Sequence, residues 1–205
     1  MNQKTKQSEK ARLGAIGENL VVTKLMQQGW DAFNANCTIK NFRSIDIICI
    51  DGNSTDPKEF WKPNMALVQV KTSFQQNIPV GFTISQCLDK EYLEKNVMGP
   101  YVFVSAKKNN EDTYSFKYFI LSRSMLINLL YEAHKHYIYE YNRIVDQEKQ
   151  TNNEYINGIK VSSPAGLFVR WLMGESDKQT SYKSEFRNPL NGISCEDEWN
   201  NIWLP

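Results

Sequence analysis

Hydrophobic residues recur with a helical period near the start of the chain. Between Ala11 and Gly29, the members of one stripe at the spacing i, i+3, i+4 and i+7 are Glu18, Val21, Val22 and Leu25. This spacing places their side chains on one face of a helix. Because glycine readily adopts the left-handed conformation that ends helices, the pattern predicts an amphipathic helix that stops at Gly29.

Apolar runs after this helix predict strands. Residues 44–50, SIDIICI, are apolar on both faces apart from Asp46, a pattern typical of a strand covered on both sides. In residues 65–72, MALVQVKT, side chains alternate between two faces, so Gln69 and Lys71 project together. Further strands are predicted over residues 30–34, 101–105 and 115–121.

The remaining periodic segments complete a predicted order of α-β-β-β-α-β-β-α. Helices are predicted over residues 84–95 and from Ser122 or Ser124 to about residue 145. After residue 146 the pattern predicts a hairpin turn at Asn157-Gly158 and helical segments over residues 167–173 and 194–203. The fold class is therefore α/β, with a mixed central sheet flanked by helices and a mostly helical C-terminal extension.

Composition agrees with this interpretation and adds limits. The 205 residues suffice for one α/β domain with additions. We divide them into a basic N-terminal arm (1–12), a core (13–145) and an extension that packs on the core (146–205). No run of about 18 apolar residues occurs, which predicts no membrane partner. The polar start and four scattered cysteines without zinc-ligand spacing indicate a reducing, cytoplasmic compartment.

Two charged residues lie in strands that are otherwise apolar. A buried lysine such as Lys71 is costly without a counter-charge, and Asp46 poses the same problem with the opposite sign. The simplest explanation is that the two side chains meet across the sheet. From these residues alone, a buried structural ion pair explains the pattern as well as an active site does.

In its ordered motifs the chain resembles the PD-(D/E)xK (restriction-endonuclease-like) nuclease superfamily. The matching pieces are Gly17-Glu18 in the first helix, residues 44–48 in one strand and residues 68–72 in the next. The resemblance covers about residues 13–121, and the last third of the chain contributes nothing to it. It implies a restriction-endonuclease-like core.

The resemblance also implies a set of roles around Mg²⁺ or Mn²⁺. Asp46 would be the primary metal ligand, joined by the Val70 carbonyl and by Glu18, directly or through water. Lys71 would orient or deprotonate the attacking water, or stabilise charge on the phosphate. Gln69 stands where the family usually has Asp or Glu. Its amide oxygen can bind Mg²⁺ but brings no charge, so we expect weak metal binding.

Basic and hydroxyl residues near these motifs are candidates for binding a nucleic-acid backbone. The net charge of +1 excludes a globally basic binder but permits local patches. The candidates are Lys4, Lys6, Lys10 and Arg12 in the arm, Lys40 and Arg43 before the Asp46 strand, and Thr72 and Ser73 after Lys71. The alternatives are solvated charges for the basic residues and a strand-end turn for Thr72 and Ser73.

The spacing of the two histidines does not allow them to form a metal site. His134 and His136 lie two residues apart on a predicted helix, about 200° around its axis, so they cannot share one ion. We interpret both as surface residues.

These observations lead to two hypotheses for the function of the chain. The first is a Mg²⁺-dependent nuclease, with DNA favoured over RNA as the substrate. The second is a nuclease fold without catalysis that binds DNA or a protein partner, which the neutral Gln69 favours. Whether the chain acts as a monomer or a homodimer stays open.

Overall fold

The computed structural model describes residues 3–37, 45–51, 64–110, 113–140, 155–176 and 186–205, with the backbone alone for 3–6 and 140. The α-helices are α1 (Gln3–Gln27), α2 (Ile84–Cys87), α3 (Lys90–Asn96), α4 (Arg123–Lys135) and α5 (Val169–Leu172). The strands are β1 (Asp31–Asn34), β2 (Ile47–Asp51), β3 (Asn64–Ser73), β4 (Asn77–Thr83), β5 (Tyr101–Lys108), β6 (Tyr114–Leu121), β7 (Tyr155–Ile156), β8 (Ile159–Lys160) and β9 (Pro164–Phe168). Short 3₁₀ segments cover Ala35–Cys37 and Trp199–Trp203, and a π-helical turn covers His136–Glu140.

The chain divides into two compact units, each assembled from stretches that are far apart in sequence. Unit 1 comprises Met1–Gln75, Met98–Arg123 and Glu196–Pro205. Unit 2 comprises Gln76–Val97 and Ser124–Cys195. The boundaries of these units do not coincide with those of the linear segments 13–145 and 146–205.

Unit 1 contains a five-stranded sheet in the order β1-β2-β3-β5-β6. The central pair β3–β5 is parallel, and the other neighbouring pairs are antiparallel. The prediction of an α/β fold with a mixed sheet and flanking helices is thus confirmed. No helix in the described part of the chain is long and apolar enough to cross a membrane.

The predicted helical stripe forms the core of unit 1. Val21 and Leu25 of α1 are fully buried in one cluster with apolar residues of all five strands. Two C-terminal residues, Trp199 and Ile202, belong to the same cluster. Gly29 has φ of 88°, so the predicted glycine stop after α1 is confirmed. The helix begins at Gln3, however, and the residues predicted as a basic arm therefore form its first turns.

Unit 2 contains a β-strand that the periodicity did not predict. β4 pairs antiparallel with β9 and buries alternate residues, among them Ile78 and Val80. Pro79 occupies an exposed position between them, where a missing N–H is tolerated. The predicted hairpin is confirmed, because Asn157 and Gly158 have φ of 49° and 71° between β7 and β8.

The prediction of a mostly helical C-terminal extension is wrong for the residues described. Residues 155–176 and 186–205 contain three short strands, one four-residue helix and one 3₁₀ segment. Within the predicted helix over 167–173, Val169–Leu172 form α5, whereas Leu167 and Phe168 belong to β9 because they extend the ladder with β4. Pairing with a distant strand overrides a weak local helical pattern.

The prediction that both histidines lie on the surface is also wrong. His134 and His136 are 5% and 4% exposed. The His134 ring donates through Nδ1 to the Leu130 carbonyl at 2.8 Å, and burial lowers the pKa of His134. The α-helical period ends at Lys135 and a π-helical turn follows, so the projection that assumed a continuous α-helix does not hold.

Candidate functional site

Asp46 is held at the start of β2 by its backbone. Its N–H donates to the Val68 carbonyl at 3.0 Å, and its carbonyl accepts from the Ala35 N–H at 2.8 Å. The antiparallel register pairs Ile47 with Val68, which brings Asp46 alongside Gln69. These contacts place the Asp46 side chain beside the strand that carries Lys71.

The Asp46 carboxylate accepts three hydrogen bonds. Its Oδ2 accepts from Gln69 Nε2 and from the Val70 N–H, both at 2.7 Å. Its Oδ1 accepts from Asn36 Nδ2 at 3.1 Å. The hydrogen bond across the sheet is therefore formed between Asp46 and Gln69, with the amide of Gln69 as the donor, and not between Asp46 and Lys71.

Two asparagines connect Asp46 with Glu18 of α1. Asn34 Nδ2 donates to Glu18 Oε2 at 2.9 Å, and Asn34 Oδ1 accepts from the Asn36 N–H at 2.9 Å. Because Asn36 also binds Asp46, the amides form a relay between the two carboxylates. Sequence reasoning missed both asparagines, since an Asn-Ala-Asn run after a strand is equally typical of an ordinary turn.

Burial raises the pKa of Glu18 above its usual value. The hydrogen bond from Asn34 opposes this shift, the negative charge of Asp46 adds to it, and Asn36 and Lys71 oppose it. Glu18 is thus close enough to Asp46 and Lys71 to sense their charges, in agreement with its predicted place beside the site.

Lys71 lies near both carboxylates without bonding to either. Burial lowers the pKa of Lys71, although the charges of Asp46 and Glu18 act to raise it. Among the described residues, Lys71 has neither a hydrogen bond nor an ion pair. The reading of Asp46 and Lys71 as a closed structural ion pair therefore finds no support in the described contacts.

The two side chains that bond to Asp46, and Thr72 of β3, each have a buried oxygen without a hydrogen-bond partner in the described part of the chain. These oxygens are Gln69 Oε1, Asn36 Oδ1 and Thr72 Oγ1. An unpaired buried polar atom costs about 1–3 kcal/mol. In a strand, one residue directs its N–H and C=O to the same side. The Val70 carbonyl therefore points to the side on which its N–H meets Asp46.

These oxygen atoms are of the kind that a hard divalent cation binds. Mg²⁺ prefers oxygen ligands and retains several waters, so few carboxylates suffice. Within the described ranges no three His, Cys, Asp or Glu side chains form a metal-binding group. A cation here would depend on Asp46, Glu18 and neutral amide or carbonyl oxygens, and we expect such a site to bind weakly.

The remaining predicted residues have different outcomes. Ser73 Oγ accepts from the Gln75 N–H at 2.9 Å, as a strand-end turn residue would. Lys10 and Arg12 are exposed on α1. The side chains of Lys4 and Lys6, and both Lys40 and Arg43, lie outside the described residues, so their phosphate contacts stay predictions.

Gly17 allows α1 to approach the strand that carries Lys71. A Cβ atom added at Gly17 would collide with the Thr72 side chain, Oγ1 first. By contrast, a Cβ added at Gly14 in the same helix would meet nothing within 4 Å. The glycine before Glu18 thus has a packing role, which brings Glu18 close to β3.

We expect Gly17→Ala to lower the free energy of unfolding by about 1–3 kcal/mol, because the helix must move away from Thr72. Gly14→Ala is the matched control and should raise it by about 0.5–1 kcal/mol through helix propensity. Urea unfolding of both variants measures the difference. The double variant Gly17→Ala/Thr72→Ala should recover most of the loss; an unrecovered loss would contradict the Thr72 contact.

Comparison with known proteins adds no relative to this picture. No protein-family model, no curated protein and no solved structure matches the chain. The class of protein is thus defined by the fold, an α/β chain with a mixed five-stranded sheet in unit 1. The geometry around Asp46 and Lys71 is therefore the main structural evidence on its function.

Proposed function

We propose that this chain hydrolyses phosphodiester bonds in nucleic acid with the help of Mg²⁺ or Mn²⁺, and that DNA is the preferred substrate. The observation that carries the proposal is the unbonded Lys71 ammonium beside two carboxylates. The unpaired oxygens of Gln69 and Asn36 support it. The resemblance to PD-(D/E)xK nucleases is a separate support and the reason for preferring DNA.

In this proposal the cation would be held by Asp46, Glu18, the Gln69 amide oxygen and the Val70 carbonyl. When bound, a divalent cation polarises a phosphoryl oxygen and makes its bound water more acidic. The Gln69 amide holds the Asp46 carboxylate in one orientation through the 2.7 Å bond. The relay through Asn34 and Asn36 holds Glu18 at a set position relative to Asp46.

Lys71 would act on the attacking water or on the phosphate. Burial lowers the pKa of Lys71, so its neutral amine is more accessible than that of an exposed lysine. As the amine, Nζ would accept a proton from water. As the ammonium, it would stabilise negative charge that develops on the phosphate.

The second hypothesis, a nuclease fold that binds DNA or a protein without catalysis, also has a supporting observation. The Asp46 carboxylate already accepts three N–H donors. Such a carboxylate is satisfied without a cation, and the neutral Gln69 adds no charge to attract one.

A cleavage assay separates these hypotheses. The pure protein is incubated with plasmid DNA, single-stranded DNA and RNA, each in Mg²⁺, in Mn²⁺ and in EDTA. The nuclease proposal expects metal-dependent products that EDTA abolishes. Binding of nucleic acid without cleavage under every condition would contradict the nuclease and favour the binding module.

We also expect Asn34→Ala to weaken Mn²⁺ binding by roughly tenfold or more, as loss of a residue that orients metal ligands usually does. Titration calorimetry measures the affinity. Amide exchange at Asn36, whose N–H binds Asn34, reports on the local turn. Exposed Asn64 at the start of β3 supplies the control, Asn64→Ala. Faster exchange with an unchanged affinity would mean that Asn34 only shapes the turn.

A further inference from the structure

An exposed group of neighbouring aromatic rings lies beyond the end of β3 in unit 1. Phe74 follows the last residue of β3 and is 50% exposed, and Tyr114 at the start of β6 is 45% exposed. Their ring centroids are 5.6 Å apart with 35° between the planes. Phe116 continues the series at 6.4 Å from Tyr114. We call these three residues the ring platform.

The ring platform lies on the hydrophobic face of the sheet, at the edge of the core. Phe116 is half-buried and packs against the core cluster that includes Tyr118 and Ile120 on the same strand. Side chains alternate along a strand, so Tyr114, two residues before Phe116, shares that face. The inner ring is thus anchored, whereas the two outer rings have large exposed surfaces.

Its position relates the ring platform to the candidate site. Phe74 follows the end of β3, three residues after Lys71, which corresponds to roughly 10 Å at the rise of a strand. Alternation along β3 directs Lys71 to the face opposite Val70 and the ring platform, so the two are connected around the end of the strand. Thr72, whose buried hydroxyl has no partner among the described residues, lies between them. A chain bound at Lys71 would reach Phe74 within a few nucleotides.

Two lysines supply positive charge beside the rings. Lys108 is directly opposite Tyr114 in the β5–β6 register, and Lys107 is opposite Ser115. Both lysines are exposed. Residues directly opposite each other share a face, which puts Lys108 next to Tyr114. The connecting turn also contains Glu111 and Asp112, which lie outside the described residues and reduce the net charge.

We propose that the ring platform stacks unpaired bases of single-stranded nucleic acid at the end of the strand that carries Lys71, so that the substrate of this site is single-stranded or has an unpaired end. The inference rests on the proposed function of the site and names its substrate class. Bases within a duplex are stacked on each other and cannot reach aromatic side chains, whereas unpaired bases can. Because charge is partly balanced here, stacking contributes more than phosphate contacts, and the salt dependence is shallow.

The test measures binding without cleavage. Fluorescence anisotropy in EDTA compares a labelled oligothymidylate, an oligouridylate and a short duplex, all with the full chain. Phe74→Ala and Tyr114→Ala should each weaken single-strand binding by roughly tenfold, in line with the loss of one stacked base. Duplex binding should change by less than about twofold, because stacking does not contribute to it.

Matched variants separate stacking from other causes. Phe74→Tyr keeps a ring and should retain affinity. Phe33→Ala removes a ring of similar exposure, 56%, on β1 and should have no effect. Lys108→Ala should reduce the slope of log affinity against log salt by roughly 0.7 for a single strand, whereas the ring variants should leave that slope unchanged. Circular dichroism confirms that each variant is folded.

Several results would contradict the proposed function of the ring platform. They are equal losses on duplex and single strand, no loss in either ring variant, no binding of any oligonucleotide, or self-association of the wild type that Phe74→Ala abolishes. The last would identify the rings as an interface between copies. Cleavage in Mn²⁺ is scored separately. Ring-dependent single-strand binding without any cleavage refutes the nuclease alone, and cleavage with ring-independent binding refutes the platform alone.

Discussion

Lys71→Met is expected to lower metal-dependent cleavage by at least about 100-fold while leaving the free energy of unfolding unchanged or higher. The loss of cleavage follows if Nζ acts on the water or on the phosphate. The effect on stability follows from the surroundings of Lys71. Burial lowers the pKa of Lys71 even though two carboxylates act to raise it. The protonated ammonium is therefore less stable in the folded protein than in water, and an apolar chain of similar length removes that cost.

The measurement combines a cleavage assay in Mn²⁺ with urea unfolding at neutral pH. Lys160→Met, at an exposed lysine on β8, is the matched control and should affect neither property. A structural ion pair predicts the opposite outcome for Lys71→Met. Removing one partner of a buried pair costs about 3–5 kcal/mol. A loss of that size would contradict the catalytic assignment of Lys71.

Gln69→Glu is expected to make the stability of the protein depend on a divalent cation. Gln69 is 7% exposed and donates through Nε2 to Asp46 Oδ2 at 2.7 Å. A glutamate here replaces this hydrogen bond with two facing carboxylates. Without a cation we expect a loss of about 1–3 kcal/mol in the free energy of unfolding. A cation bound between the carboxylates relieves the repulsion, and at 100 times its Kd it adds about 2.7 kcal/mol.

Thermal unfolding with Mn²⁺ and with EDTA measures this dependence. For a chain of about 200 residues, 1 kcal/mol corresponds to a shift of about 2–4 °C in Tm. Gln75→Glu, at an exposed position past the end of β3, is the control and should show no such dependence. A loss of stability in Gln69→Glu that Mn²⁺ does not reverse would mean that the cation does not bind between these side chains.

Local patterns determined much of the fold of unit 1 and one turn of unit 2. The spacing of Val21 and Leu25 predicts which side chains lie on the buried face of α1. The alternation of residues along β3 predicts which of its side chains share a face. The glycine stop at Gly29 and the Asn157-Gly158 turn depend on the backbone freedom of a few residues. Each of these features is encoded within a short window, which is why periodicity and turn chemistry suffice to predict it.

Non-local pairing decided what the sequence did not reveal about unit 2. β4 forms its ladder with β9, which lies more than 80 residues later in the chain, so the local pattern around β4 does not reveal its partner. Pro79 and Gly81 make the sequence of β4 less typical of a strand. Leu167 and Phe168 lie in a sequence with a helical pattern, but pairing with β4 makes them part of a strand. His134 and His136 are both buried, and at His136 the helix changes from the α to the π period, a change that no residue type indicates.

The candidate site shows the same division. The sequence by itself determined that Asp46 and Lys71 needed an explanation, because charges in apolar strands are costly, and it identified Gln69 as the neutral neighbour. Only the tertiary structure decided how these groups are arranged: Gln69 donates to Asp46, Asn34 and Asn36 connect Asp46 with Glu18, and Lys71 bonds to none of the described residues. Hydrogen-bond partners depend on distances and angles between segments far apart in the chain, and residue type and spacing do not specify those.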